Sequence, residues 1–116
     1  MPVVSIKRVY DPPSKEDGYR VLVDRVWPRG VSKEAAAVDH WAKAIAPSAT
    51  LRKWFNHDPA RWGEFQRRYR AELDNQSDAL RELLKAYGNR RITLVFGAKD
   101  VLHNQAVVLK DVLSAM

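Results

Sequence analysis

The sequence predicts an α/β fold: a small, mainly parallel sheet flanked by helices, forming a single domain over residues 1–116. Three observations lead there. Two runs, "YRVLV" (Tyr19–Val23) and "RITLVFG" (Arg91–Gly97), are rich in β-branched and aromatic residues and stop on turn residues. In the first, Val21 and Val23 share one face and Leu22 the other, so both faces are apolar, as in a central strand covered on both sides. The stretch between the two runs is helical, and strands alternating with helices build parallel sheets. The chain has 116 residues, of which 46% are hydrophobic, enough for one modest core.

The elements follow in order. "VVSIKRV" (Val3–Val9) reads as a first strand, and "YDPPSKEDG" (Tyr10–Gly18) as a loop with two prolines, Asp-Gly and little to bury. The second strand, "YRVLVDRV", runs from Tyr19. Ser32 is placed to cap a short helix over "SKEAAA". "VDHWAKAI" (Val38–Ile45) fits strand and helix alike. Ser48 can start a helix through Phe55. Asp58 with Pro59 starts another that runs to Asn75, with Trp62, Phe65, Tyr69 and Leu73 as its apolar seam. A further helix starts on Ser77, carries Leu80, Leu83, Leu84 and Tyr87 on one face, and stops at Gly88. After the Arg91–Gly97 strand, "AKD" is a short loop with Asp100 as N-cap. The last helix then starts at Val101, with Leu102, Ala106, Leu109 and Leu113 as its seam. No internal repeat or low-complexity segment is evident.

Composition narrows the function classes. With no cysteine, disulfides, thiolate metal sites and cysteine nucleophiles are absent. No apolar run approaches the roughly 20 residues of a membrane span, and the N-terminus lacks the pattern of a signal peptide, so a cytoplasmic location is expected. The formal charge of +6 raises nucleic acid as a partner. Yet much of that charge sits in "ARWGEFQRRYRAELD", where Arg61–Glu64, Glu64–Arg68, Arg68–Glu72 and Arg70–Asp74 have helical pair spacing, leaving only Arg67 without a partner. That helix is expected to be a solvated, internally paired face.

Ligands of parallel sheets sit outside the C-terminal edge of the strands, among the loops that follow them. Two such loops carry chemistry. In "DRVWPRG", Arg25 and Arg29 could fork a phosphate or carboxylate, Trp27 offers a stacking surface, and Asp24 can neutralise only one arginine. The competing structural role is an Asp24–arginine pair with Trp27 closing the core. In "FGAKDVLHN", Lys99 stands at a strand end, Gly97 permits close approach to the backbone, and His103 and Asn104 fall in the expected first helical turn. There the helix dipole disfavours imidazolium and leaves His103 able to act as a base. A surface lysine and a satisfied histidine are the structural alternative. In "KWFNHDPARW", Trp54, Phe55 and Trp62 are expected to pack a helix corner, while His57 in its polar turn is free to join a site. The three histidines have no metal-ligand spacing, and Walker and nucleophile-elbow patterns are absent, so no metal or other cofactor is expected.

Three long segments, "RVYDPPSKEDGYRVLVDRVWPRGVSKE", "LRKWFNHDPARWGEFQRRYRAEL" and "LVFGAKDVLHNQAVVLKDVL", make the chain similar to the domain of unknown function 488 (DUF488) family, of the YeaO-like kind. The resemblance covers almost the whole chain. It implies a small, mostly prokaryotic α/β protein and marks Asp24–Arg25, Trp27–Gly30, Trp54–Phe55, His57–Asp58, Lys99–Asp100 and His103–Asn104, but no established reaction. The expected function is therefore one composite site for an anionic small molecule bearing phosphate or carboxylate. Arg25, Arg29 and Lys99 would hold the anion, with Trp27 and Asn104 as further contacts. His57 and His103 would move a proton if the site is catalytic. Nucleic-acid association and a non-catalytic partner-binding module are the alternatives.

Overall fold

The computed structural model describes residues 3–87 and 89–116; Gly88, the expected stop of the fourth helix, lies outside them. The fold is α/β, as expected. Four strands, β1 (Val4–Arg8), β2 (Tyr19–Leu22), β3 (His40–Trp41) and β4 (Ile92–Phe96), form one sheet in the order β1-β4-β2-β3. All three pairings are parallel, with Val4 beside Ile92, Tyr19 beside Ile92 and Val21 beside His40. The last strand thus inserts between the first two, and every strand ends at the same edge.

Helices cover the two faces unequally. Val21 and Val23 point into the larger core with Ile92, Leu94 and Phe96, covered by α2 (Ala49–Phe55), α3 (Trp62–Asp74), α4 (Ser77–Tyr87) and α5 (Gln105–Ser114). Leu22 and Val95 face the other way, into a smaller cluster with Val9, Ala36 of α1 (Lys33–Ala36), Trp27 and Trp41. The two-sided pattern of "YRVLV" therefore arises because β2 is an interior strand. The expected caps at Ser32 and Ser48 form, with Ser32 Oγ accepting from Ala35 N and Ser48 Oγ from Leu51 N, whereas Asp58 Oδ1 accepts from Ala60 N to cap a 3-10 turn over Pro59–Arg61, and α3 follows from Trp62. Phe65, Tyr69 and Leu73 are buried, and Trp62 packs beside them.

Two expectations are corrected, and one segment left open divides between both readings. The last helix does not start at Val101 with Asp100 as its cap. Asp100 Oδ1 accepts from Leu102 N and His103 N in a separate turn, and Asn104 caps a helix that begins at Gln105. Two good capping residues four apart compete, and the second wins because it is buried. Leu102 then lies outside the helix, 68% exposed, and is not part of the seam. The ambiguous Val38–Ile45 segment divides into β3 and a 3-10 turn over Lys43–Ile45, since Ala42 N donates to Leu22 O. Of the expected α3 ladder the Glu64–Arg68 pair forms, while Arg61, Arg67 and Arg70 take other partners than expected. Glu64 binds both Arg67 and Arg68, Arg61 pairs with Asp58, and Arg70 reaches Asp111 on α5. Glu72 turns inward to accept from Ser48 N and Oγ at 2.8 and 2.7 Å, tying the start of α2 to α3.

A buried polar cluster supports the opposite end of β2. Arg20, 4% exposed, donates to Asp17 Oδ2 at 2.6 Å and through Nε and Nη2 to Ala36 O. Lys7 Nζ reaches both Asp17 oxygens at 3.2 Å. Burial works against ionisation of Asp17, but the Ser14 N–H, Arg20 and Lys7 together hold its carboxyl below the ordinary value. Among the described residues no helix is long and apolar enough to cross a membrane.

Candidate functional site: a cationic cleft at the strand ends

Because all strands end together, the loops after β1, β2 and β4 converge. They meet the end of α2 and the start of α5 around an open cleft of ≈ 850 Å³. Its walls include the seven candidate site residues Arg25, Trp27, Arg29, His57, Lys99, His103 and Asn104, but not Gly30, Trp54, Asp58 or Trp62. Five Lys/Arg side chains line it, Arg25, Arg29, Arg52, Lys53 and Lys99, against two carboxylates, Asp24 and Asp100. Like-charged groups around a concave surface focus their potential on whatever enters.

The individual geometries differ from one another. Arg25 is already engaged by protein: Nε donates to Pro47 O at 2.8 Å and Nη2 to Ala46 O at 3.1 Å, tethering the β2 loop to the entry of α2. Arg29 is the reverse. Its backbone carbonyl accepts from Tyr10 Oη at 2.9 Å, while its exposed guanidinium has no hydrogen-bond or ion-pair partner among the described residues. Lys99 is likewise exposed and unpaired among them. Among the described residues Asp24 pairs with no arginine. Its Oδ2 accepts from Gly97 N at 2.9 Å, and Oδ1 from Gln105 Nε2. Burial pushes its carboxyl above the ordinary value, against the pull of those two donors and of the Arg52 and His57 charges. Gly97 does allow a close approach to its backbone, but the group that approaches is Asp24: a Cβ there would lie 2.9 Å from Oδ2.

Trp27 lies on the wall with its ring edge-on to Trp41 at 5.2 Å and its indole N–H donating to Val31 O at 2.6 Å, so it also closes the smaller core. Asn104 is 2% exposed; Oδ1 caps Ala106 and Val107, and Nδ2 donates to Asp100 O at 2.8 Å. His103 sits before α5, not in its first turn, so a carboxylate replaces the helix dipole as its main electrostatic neighbour. Nδ1 is 2.9 Å from Asp100 Oδ2, and the ring lies edge-on to Trp62. Asp100 is held below the ordinary carboxylate value by the Leu102 N–H and then by His103. An ionised carboxylate only accepts, so Nδ1 carries the proton and Nε2 is the nitrogen left for another partner. His57 is exposed in a left-handed turn (φ +54°) that follows Asn56, also left-handed, at the end of α2. Among the described residues no three His, Cys, Asp or Glu side chains cluster as metal ligands.

Sequence reasoning missed Tyr10, Arg52, Lys53 and Gln105 on the cleft wall. Tyr10 follows β1 as Arg25 follows β2 and Lys99 follows β4, so the strand-end rule applied to all three loops would have found it. Arg52 and Lys53 carried no local signal; they arrive because the left-handed turn at Asn56 ends α2 beside the sheet edge.

The fold and cleft define a class: a parallel α/β protein with a cleft lined by lysine and arginine side chains at its strand ends. More narrowly, the chain belongs to the DUF488 family, since residues 3–116 match the family model described as "Inactive DUF488-N3 subclade". It is 41% identical over 113 residues to the "Uncharacterized protein YeaO" of Escherichia coli (strain K12), covering 97% of this chain and 98% of that one. It is 43% identical over 111 residues to the "Uncharacterized protein Rv3073c" of Mycobacterium tuberculosis (strain ATCC 25618 / H37Rv), covering 96% and 93%. No solved structure matches significantly.

Proposed function

We propose that the cleft binds an anionic ligand bearing phosphate or carboxylate, and that it binds without turning it over. One observation carries the reading: five cations face two carboxylates in one cleft, and the Arg29 guanidinium there has no partner among the described residues. A planar guanidinium offers paired donors that match phosphate or carboxylate. Lys99 and the free Nη1 of Arg25 supply further donors. Binding without turnover is supported by the cleft wall, which holds no serine, threonine or cysteine, and by the description of the subclade as inactive. In this reading His57 and His103 contact the ligand and do not pass protons. The pairing of the α3 arginines with Asp58, Glu64 and Asp111 argues against that helix as a nucleic-acid surface.

Thermal shift tests this at constant ionic strength. Ligand at a hundredfold excess over Kd adds about 2.7 kcal/mol, so phosphate or sulfate raises the melting temperature of the wild type. Arg29→Ala abolishes the rise without unfolding the free protein, because the side chain is exposed and unpaired. Arg29→Lys restores it in part, since an ammonium lacks the planar fork. No shift in the wild type, or equal shifts in all three proteins, refutes the reading.

A further inference from the structure

The cleft is far larger than an inorganic anion, so something besides the charged group must fill it. Tyr10 is built to meet that part. Its hydroxyl donates to Arg29 O at 2.9 Å, and the Arg8 guanidinium covers its ring at 4.9 Å from the centroid. Arg8 is itself fixed, Nε donating to Ala98 O at 3.0 Å. One chain of contacts thus staples the loops after β4, β1 and β2 and holds the tyrosine ring still. Tyr10 nonetheless remains 46% exposed at the cleft wall, beside Arg29, whose guanidinium has no partner among the described residues. Trp27, the aromatic singled out from the sequence, is less suited, since its indole N–H and one ring edge are engaged by Val31 and Trp41. A ring immobilised before the ligand arrives loses little entropy on stacking.

We propose that the cleft takes a nucleotide unit, its base stacked on Tyr10 and its phosphate on Arg29. This rests on the anion-binding reading above and adds the aromatic body of the ligand. A base presents a flat π-face that stacks on an aromatic side chain whatever its sequence, and its phosphate follows at the distance of one sugar.

Calorimetric titration of the full chain with inorganic phosphate, AMP and adenosine tests it. AMP binds at least about tenfold more tightly than phosphate, the size expected of one base stacked on an aromatic ring. Tyr10→Ala brings AMP down to the affinity of phosphate while phosphate binding persists; Tyr10→Phe, which keeps the ring, retains most of the preference. Arg29→Ala weakens AMP and phosphate alike. An oligoadenylate of about ten nucleotides separates the sources. Tyr10-dependent competition with AMP assigns the unit to a single strand, and failure to compete assigns it to a free nucleotide. Equal affinities for AMP and phosphate, or an AMP preference that survives Tyr10→Ala, overturn the nucleotide proposal and leave the anion site standing. Failure of both phosphate and AMP to bind overturns both.

Discussion

At Gly18 the backbone takes φ +65° and ψ −132°, a region side-chain-bearing residues rarely enter. A Cβ there would lie 2.2 Å from the Arg91 carbonyl oxygen, which accepts from Tyr19 N at 2.9 Å. The turn therefore delivers the chain into β2 hard against the start of β4. Gly18→Ala meets both strain and clash, and is expected to cost on the order of 3 kcal/mol, read as a lowered urea midpoint at unchanged slope. A midpoint that does not move would mean that the turn rearranges freely. The residues around the cleft show what a sequence can carry at this scale. That Arg25, Arg29 and Lys99 share one sheet edge was legible, because each follows a strand. Which arginine is free was not. Arg25 is engaged by the Ala46 and Pro47 carbonyls, 21 and 22 residues away, and nothing local in "DRVWPRG" announces that contact.

Among the elements, α5 bears on the site through its start, where its cap Asn104 and first residue Gln105 line the cleft. Its start is set by Asn104, which caps Ala106 and Val107 with Oδ1 and holds Asp100 O with Nδ2. Asn104→Ala removes both the cap and a buried polar link, and is expected to cost about 1–2 kcal/mol. Chemical denaturation reads that loss, and a change under a few tenths would place the helix start elsewhere. The strands and the α3 seam were legible because period and burial agree there: Val21 and Val23 do lie opposite Leu22, and Phe65, Tyr69 and Leu73 are buried. The start of α5 was misplaced because Asp100 also satisfies two N–H groups, so both residues carry the chemistry of a cap and only burial separates them. The two-residue β3 is held by pairing with β2 and has too few residues for any periodicity.

For the whole molecule the relevant quantity is where the charge has partners. The α3 arginines have acidic partners, and of the cleft cations Arg29 and Lys99 have none among the described residues, so duplex DNA is expected to bind weakly and to be lost by moderate salt. Sequence-dependent gel shifts at physiological salt would contradict this. Acid stability follows the same logic, with two aspartates of opposite sign. Asp17 is held below its ordinary value of 3.8, so its contribution is present above that value and is lost as the pH falls through the lower, folded one. Asp24 is raised by burial, so the folded state takes up its proton first, and that group favours folding as the pH falls through its raised value toward 3.8. Asp17→Asn leaves Arg20 and Lys7 without their shared anion, and Arg20 is buried, so the variant is less stable than wild type at pH 7. The deficit shrinks below the folded-state value, where the wild-type carboxyl is itself neutral. Asp24→Asn, nearly the same in shape, removes a buried charge and flattens that gain. Urea denaturation of the three proteins from pH 7 to about pH 3 measures both effects. If the Asp17→Asn deficit stays constant across that range, the cluster beneath β2 is not held by charge, and Asp17 acts there only as a hydrogen-bond acceptor.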